Sequence, residues 1–186
     1  MIYLIAIPCF YYWGVLGYCA DKTREDYYED GQLKSIYPYN ESGLLDGLVK
    51  QYYADGKIKV EAEYKNNVRE GIYKNYYENG NLMLLFNYKD GKTDGICKRY
   101  YRSGSLMLEQ NYTSGDRDGP YKWYYRNETV KEEGNYEHGK KDGICKSYFS
   151  TGQLKAEWIY KDGKILIKIC YDENGNTVEC FNKCLQ

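Results

Sequence analysis

A repeat of 24 residues is the feature that most constrains how this 186-residue chain can fold. The stretch "DGKTDGICKRYYRSGSLMLEQNY" at 90–112 returns as "HGKKDGICKSYFSTGQLKAEWIY" at 138–160, two periods later. A period held this long indicates an array of one structural unit. Each copy begins at a unit glycine and ends at a closing tyrosine. These residues are Gly47, Gly71, Gly95, Gly119 and Gly143, and Tyr64, Tyr88, Tyr112, Tyr136 and Tyr160.

A pair of aromatic residues stands between these two landmarks in every unit. Its first member is Tyr52, Tyr76, Tyr100, Tyr124 or Tyr148, and its second is Tyr53, Tyr77, Tyr101, Tyr125 or Phe149. Tyrosine suits a sheet without a covering layer, because its ring packs on neighbouring strands while its hydroxyl stays in water. Tyrosine is also enriched at protein interfaces, so the five first members are a candidate binding surface.

Alternation inside each unit indicates strands. After Gly80, apolar and aromatic residues occupy every second position from Leu82 to Tyr88. A period of two is the strand pattern, and Asn79-Gly80 before it is a favoured two-residue hairpin turn. Each unit is therefore predicted to be a β-hairpin, since 24 residues leave no room for a helix beside two strands.

Counting outwards from a two-residue turn predicts the cross-strand pairs. The count pairs Tyr77 with Leu82, Gly71 with Tyr88, Phe149 with Leu154, and Gly143 with Tyr160. A bare glycine in a strand is unfavourable, and an aromatic ring laid over it compensates. On this hypothesis, Gly95→Val clashes with Tyr112 and destabilises the hairpin locally.

Neither face of these hairpins is apolar enough to form a globular core. The face opposite the glycines carries a lysine three residues after each unit glycine, at 50, 74, 98, 122 and 146. We therefore predict an all-β fold, an elongated single-layer antiparallel β-meander of repeated 24-residue hairpins. The predicted parts are an export segment or anchor at 1–19, a degenerate N-terminal capping repeat at 20–46, five repeats at 47–166, and a C-terminal capping hairpin with a tail at 167–186.

The first twenty residues carry no charged side chain, whereas the next six carry five. This boundary indicates an export signal and a periplasmic or envelope-attached protein. Cys19 is a candidate lipidation site, because Leu16 precedes it at the spacing of bacterial lipoprotein signals, although Tyr18 stands where those signals have a small residue. Two alternatives stay open: an uncleaved anchor, since about twenty apolar residues span a bilayer, and a buried strand of a cytoplasmic protein.

Charge and residue spacing exclude several classes of function. The net charge of −1, with acids and bases interspersed, argues against nucleic-acid binding and leaves membrane contact to the N-terminal segment. His138 is the single histidine and falls in a turn, so no catalytic set is supported. The acidic turns lack the spacing of calcium loops, and carboxylates recur by repeat position rather than as a pair in a cleft. We predict no enzymatic activity and no cofactor.

Seven cysteines raise the question of disulfides or zinc. Cys97 and Cys145 hold equivalent positions four strands apart, roughly 19 Å at about 4.8 Å per strand, which no disulfide spans. Cys170, Cys180 and Cys184 cluster near the C-terminus, where one bridge is compatible with an oxidising compartment. Their spacing lacks the C-x-x-C pairs of a zinc site.

The pattern G-x-x-K-x-Y-Y-x-x-G-x-L, closing on Y-K-D-G-K-x-D-G, resembles the MORN-repeat variant found in many bacterial proteins, including antitoxin-like ones. The resemblance runs from about Tyr27 to Gly175. It implies scaffolds, lipid-proximal platforms or partner-binding surfaces. We therefore predict a non-enzymatic platform for a protein partner, with an antitoxin- or immunity-like role. The alternative is an exported structural or surface module that binds glycan or envelope components.

Overall fold

The computed structural model describes residues 22–180 as one antiparallel β-sheet. The predicted export segment with its Cys19, and also Cys184, lie outside the described residues. The strands are β1 (Lys22–Tyr27), β2 (Leu33–Tyr39), β3 (Gly47–Tyr52), β4 (Ile58–Lys65), β5 (Val68–Tyr76), β6 (Leu82–Lys89), β7 (Lys92–Thr93), β8 (Gly95–Tyr100), β9 (Leu106–Thr113), β10 (Asp116–Tyr124), β11 (Val130–Glu137), β12 (Lys140–Lys141), β13 (Gly143–Tyr148), β14 (Leu154–Lys161), β15 (Lys164–Tyr171) and β16 (Thr177–Val178).

The strands follow one another across the sheet in chain order, as in a meander. Two short strands lie off this path, because β7 pairs with β6 and β12 pairs with β11. No helix occurs between residues 22 and 180, so no second layer covers the sheet there and the predicted single-layer all-β meander is confirmed. In this part of the chain no helix is long and apolar enough to cross a membrane. The predicted domain boundaries stay predictions.

The hairpin loops have three residues instead of the expected two. The Gly80 N–H donates to the Tyr77 carbonyl, and the Tyr77 N–H donates to the Asn81 carbonyl, so residues 78–80 form the loop. Gly80 takes φ +87°, as the third residue of such a loop requires. Two expected pairs are therefore wrong. Leu82 lies opposite Tyr76 and not Tyr77, and Leu154 lies opposite Tyr148 and not Phe149.

The unit glycines do lie opposite the closing tyrosines in all five repeats. The expected reason for glycine, a clash between any larger side chain and the closing tyrosine, is wrong. A Cβ built on Gly95 would lie 3.8 Å from Asn87 of the preceding hairpin and would not contact Tyr112. All five have φ between 79° and 112°, at a bulge where three residues oppose one on the preceding strand. Positive φ strains residues that carry a Cβ, so backbone conformation selects glycine here.

Two-residue turns connect successive hairpins at the opposite ends of the strands, which we call the turn edge. Both central residues of each turn have positive φ, as in type I′ turns. These residues are Asn66-Asn67, Asp90-Gly91, Ser114-Gly115, His138-Gly139 and Asp162-Gly163. Four of the five turns are bonded back to the start of their own hairpin by a carboxylate, as where the Asp90 N–H donates to the Glu70 carboxylate at 2.7 Å. Asp46, Asp94 and Asp142 accept the equivalent bond.

In four of the five repeats the second member of the aromatic pair is a tyrosine that joins its hairpin to the next one, and Tyr28 does the same in the N-terminal hairpin. The Tyr101 hydroxyl donates to the backbone carbonyl of Tyr124, 2.7 Å away in the following hairpin. We call this bond the tyrosine latch. It recurs from Tyr28 to Tyr52, from Tyr53 to Tyr76, from Tyr77 to Tyr100, and from Tyr125 to Tyr148. Phe149 has no hydroxyl, so the series ends at the fifth full repeat.

The C-terminal end departs from the repeat. Leu166 is the single extra residue in the bulge of β15, where earlier hairpins have a longer bulge. No positive φ occurs there, so Ile167 can stand where the pattern has a glycine. Strand β16 pairs only with the last two residues of β15, and a disulfide between Cys170 and Cys180 ties the following chain back to β15.

Tyr101→Phe tests the tyrosine latch. The change leaves the Tyr124 carbonyl without its donor, and we expect the free energy of unfolding to fall by about 1 kcal/mol. Tyr100→Phe is the matched control, because the Tyr100 hydroxyl forms no hydrogen bond within residues 22–180. Urea denaturation followed by circular dichroism measures both. Equal midpoints for the two variants would contradict the latch.

Glu128→Gly tests the loop conformation. Glu128 has φ +67° at the loop position that glycine fills in the other repeats. A left-handed conformation costs an L-residue about 1–2 kcal/mol, partly offset by the greater freedom of glycine in the unfolded chain. We expect Glu128→Gly to raise the free energy of unfolding by about 0.5–1 kcal/mol, and the reciprocal Gly104→Glu to lower it. Thermal melting decides, and a lower melting temperature for Glu128→Gly would refute the explanation.

Candidate functional site

The sheet has two faces of different chemistry, since alternate residues of a strand point to opposite sides. One of them, the core face, carries the buried apolar residues Val49, Ala62, Cys97, Tyr121, Cys145 and Ala156. The other, the ladder face, carries the lysine that follows each unit glycine by three positions. Both faces are candidate surfaces, because neither is covered by another layer within residues 22–180.

A row of alternating lysine and glutamate crosses the ladder face. Successive cross-strand partners are Ile36, Lys50, Glu61, Lys74, Leu85, Lys98, Glu109, Lys122, Glu133, Lys146, Glu157 and Ile169. Ion pairs form within the row, such as Lys98 with Glu109 at 2.8 Å and Lys122 with Glu133 at 3.1 Å. Each such pair contributes only about 0.2–1 kcal/mol. Their alternation keeps like charges apart, which favours this register over a shifted one.

The five tyrosines predicted as a binding surface, Tyr52, Tyr76, Tyr100, Tyr124 and Tyr148, lie half-buried on the ladder face beside this row. The Tyr76 hydroxyl donates to Glu61 at 2.8 Å, and the Tyr148 hydroxyl donates to Glu133 at 2.7 Å. Burial, together with these carboxylates, raises the pKa of Tyr76 and of Tyr148 to about 12. The bond from Tyr148, with Lys122, also holds the pKa of Glu133 below its usual range. These two rings are therefore held in place, and their hydroxyl groups are already engaged in hydrogen bonds to glutamates.

A row of exposed aliphatic side chains lies on the turn-edge side of the ladder. Leu48, Ile72, Ile96 and Ile144, each directly after a unit glycine, are 39%, 41%, 44% and 60% exposed. Ile159 and Ile167 extend the row, because they pair in succession with Ile144. We call these six residues the aliphatic row. Sequence reasoning missed it, although the first four recur with the repeat and are two residues from the ladder lysines, on the same face.

The core face packs most closely around Tyr121, which is 2% exposed. Gly134 lies opposite it, and a Cβ there would be 2.4 Å from the Cys145 Sγ and 2.9 Å from the Tyr121 ring. The ring over a bare glycine that was expected at the unit glycines occurs here instead. The Tyr121 hydroxyl donates to Glu132, which also accepts from Lys141, both at 2.6 Å. Burial and Glu132 raise the pKa of Tyr121 strongly.

The cysteines of the core face are buried and unlinked. Cys97 and Cys145 are 4% and 0% exposed and carry free thiols, as their separation by four strands predicts. Burial raises the pKa of Cys97 to about 11, so this thiol is protonated and unreactive at neutral pH. Their role is to fill the space between aromatic rings.

A second row of the core face, next to the turn edge, places cations opposite three of the five closing tyrosines. Its cross-strand partners are Tyr64 with Arg69, Tyr88 with Thr93, Tyr112 with Arg117, Tyr136 with Lys141, and Tyr160 with Ile165. The Arg69 guanidinium lies 5.3–5.9 Å from the ring centres of Tyr64, Tyr73 and Tyr88. Its Nε donates to the Tyr64 hydroxyl at 3.0 Å, and its Nη1 donates to the Tyr88 hydroxyl at 3.4 Å. We call this row the tyrosine–cation row.

Comparison with known families gives one match. The sequence model of the family described as the MORN repeat variant matches residues 20–41, 45–66, 69–90, 93–113, 117–138 and 141–162, which is more than two thirds of the chain. The chain belongs to the MORN-repeat variant family. Each of the last five matched segments begins two residues before a unit glycine, so one repeat of the family corresponds to one hairpin. A comparison with curated proteins found no match.

MORN repeats are commonly protein- or membrane-binding modules, and proteins built from them are generally non-enzymatic. In this MORN-repeat protein, a shallow depression of about 420 Å³ beside the last hairpins is lined by Glu132, Ser147, Trp158 and Cys170, among others. His138 lies exposed in a turn, away from that depression. Within residues 22–180, no three His, Cys, Asp or Glu side chains are grouped so as to hold a metal ion.

The raised pKa of Tyr148 predicts a loss of stability at high pH. The folded-state pKa of about 12 exceeds the ordinary value of 10, so folding favours the neutral hydroxyl. This contribution is complete below pH 10 and is lost as the pH rises from about 10 to about 12. We expect the melting temperature of Tyr148→Phe to fall less across this window than that of the wild type. Identical slopes for Tyr148→Phe and the wild type would contradict the prediction.

Proposed function

We propose that this MORN-repeat protein is a non-enzymatic platform and that another protein docks on its ladder face. The aliphatic row is the observation that carries the proposal. Ile72, Ile96 and Ile144 are each more than two fifths exposed on a regular sheet. Asn87 and Asn111 lie opposite Ile72 and Ile96, whereas Ile144, Ile159 and Ile167 are direct neighbours and form an apolar patch. Exposed apolar patches mark interaction sites. Burying such side chains is favourable, at about 25 cal/mol per Å² of apolar surface removed from water.

The ladder beside the aliphatic row suits docking because its charges are already paired. Lys98, Lys122 and Lys146 each contact a glutamate, so a partner that covers them does not have to supply counter-charges. The half-buried tyrosines on the far side of the ladder add aromatic surface, which is enriched at interfaces. Equivalent residues recur every two strands, roughly 9.6 Å apart. The surface therefore fits an elongated partner that lies across several hairpins.

We also propose that the protein is exported and attached to the cell envelope. Its uncharged first twenty residues support export, and so does the Cys170–Cys180 bridge, since disulfides persist in oxidising compartments. In an antitoxin- or immunity-like role, the docked partner is a toxin met outside the cytoplasm. The resemblance of the repeats to those of antitoxin-like proteins supports this role.

An exported structural module that binds glycan or envelope components is the second candidate. The half-buried row of Tyr52, Tyr76, Tyr100, Tyr124 and Tyr148 favours it, because exposed ring surface at a regular spacing can stack on successive sugars. The two candidates differ in which row they use. A protein partner needs the aliphatic row, whereas a glycan needs the tyrosine rings.

Capture of the partner from cells that produce the protein tests the first candidate. We expect Ile72→Glu with Ile96→Glu to reduce recovery of the partner at least about tenfold, because two carboxylates would enter an apolar contact. Ile165→Glu is the matched control, since Ile165 is 53% exposed but pairs with Tyr160 on the core face. Circular dichroism verifies that all variants fold. Equal recovery with all variants, or binding to glycan arrays without a protein partner, would refute docking on the aliphatic row.

A further inference from the structure

The charges on the core face are nearly all of one sign. From Val60 to Cys170, the cross-strand rows of this face carry Arg69, Arg99, Arg117, Lys141 and Lys168, but only one carboxylate, that of Glu132. Glu132 already accepts from Lys141 and Tyr121. No ion pair forms at the three arginines within residues 22–180, although all three are exposed. The ladder face differs, because its cations alternate with glutamates.

Two of these arginines are held in fixed positions by tyrosines. Arg69 donates to the hydroxyls of Tyr64 and Tyr88, and Arg117 donates to the Tyr136 hydroxyl at 3.2 Å. The Arg117 guanidinium also lies 5.3 Å from the Tyr136 ring centre. A guanidinium has five N–H donors, so each arginine keeps donors for a ligand while its position is set. Side chains held in this way lose less conformational entropy when a ligand binds.

We propose that the core face binds an acidic protein segment through Arg69 and Arg117. Guanidinium groups pair with carboxylates in a two-pronged geometry, and the partner supplies the carboxylates that this face lacks. The two arginines hold the same repeat position four strands apart, roughly 19 Å. An extended segment covers that distance in about six residues, so its acidic groups can contact both arginines at once. The site lies on the opposite face from the aliphatic row and does not depend on the docking proposed there.

The charge distribution favours an acidic protein segment over a nucleic acid. Nucleic-acid binding depends on a field that attracts many phosphates, and the net charge of −1 provides no such field. Arg69 and Arg117 are separated by Thr93 in the tyrosine–cation row, and their neighbouring rings already face the guanidinium groups. Those rings are therefore not free to stack on bases. Two separate cationic points match spaced carboxylates better than a continuous phosphate backbone.

A fluorescent oligo-glutamate peptide of about ten residues, roughly 33 Å when extended, is the probe. We expect it to bind the full chain, with an affinity that falls as salt is added, whereas oligo-glutamine of the same length does not bind. Arg69→Gln with Arg117→Gln should weaken binding about tenfold. Lys98→Gln with Lys122→Gln is the matched control, because it removes the same charge from the ladder face, and it should change binding less than about twofold. Thermal melting shows whether each variant is folded.

Three results would overturn the proposal. Equal weakening by the two double variants would mean that the probe responds to total charge and not to the core face. An oligothymidylate of equal length that competes as well as oligo-glutamate would indicate a general anion site. Absence of binding to the folded wild-type chain would remove the site altogether. None of these results bears on capture through the aliphatic row, since Ile72 and Ile96 are unchanged in every protein used here.

Discussion

A sheet one layer thick has no second layer on which to bury its side chains, so each hairpin has to be held by its neighbours. The backbone ladders between neighbouring hairpins are the interaction on which the rest of this structure depends, and the tyrosine latch reinforces them. At the loop edge, a hydroxyl such as that of Tyr101 reaches the backbone of the next hairpin. At the turn edge, an acid such as Glu70 accepts an N–H of the turn that follows its hairpin. Both ends of the strands are thereby fixed, although few apolar side chains are buried.

The two faces follow from this arrangement. Because neighbouring hairpins are joined by backbone ladders, with turns and a few side chains added at the edges, the side chains in the middle of the strands are free to differ between faces. On one face, Lys and Glu alternate and neutralise each other, with Ile72 and Ile96 exposed beside them. On the other, rings, thiols and guanidinium groups pack together. A MORN-repeat sheet of this kind can therefore present two unlike surfaces without a separate core.

The strand register was predictable from the sequence, although the predicted loop length was one residue too short, because an extra residue in the next strand offsets that error. Counting from a two-residue turn places Gly71 opposite Tyr88, as observed, although the loop has three residues. An extra residue in the following strand, Met83, compensates for the extra loop residue, and the register is the expected one from Asn75 onwards. Periodicity cannot distinguish these two geometries, because both give the same pairs far from the loop. Only the pairs beside the loop, such as Tyr77 with Leu82, were wrong.

The residues of the candidate surfaces were predictable from the sequence, but the contacts between hairpins were not. The ladder glutamates and the aliphatic row follow from strand alternation, since Glu109 comes eleven residues after Lys98 in the same hairpin and Ile96 two residues before it. By contrast, the acceptor of the Tyr101 hydroxyl belongs to another hairpin, and its position depends on the spacing and twist between hairpins. The stacking of Arg69 between Tyr64 and Tyr88 depends on the same three-dimensional arrangement.

Phe149 has a mechanical consequence. Every earlier junction resists separation through a latch at the loop edge, but the junction between β14 and β15 has none. That junction has the longest ladder between hairpins instead, because β14 and β15 pair at six positions whereas β6 and β8 pair at two. The last hairpin is therefore attached along the length of its strands and not at its loop. A force that pulls the two ends of the sheet apart is borne there by backbone hydrogen bonds, and the bridge from Cys170 to Cys180 holds the chain that follows against β15.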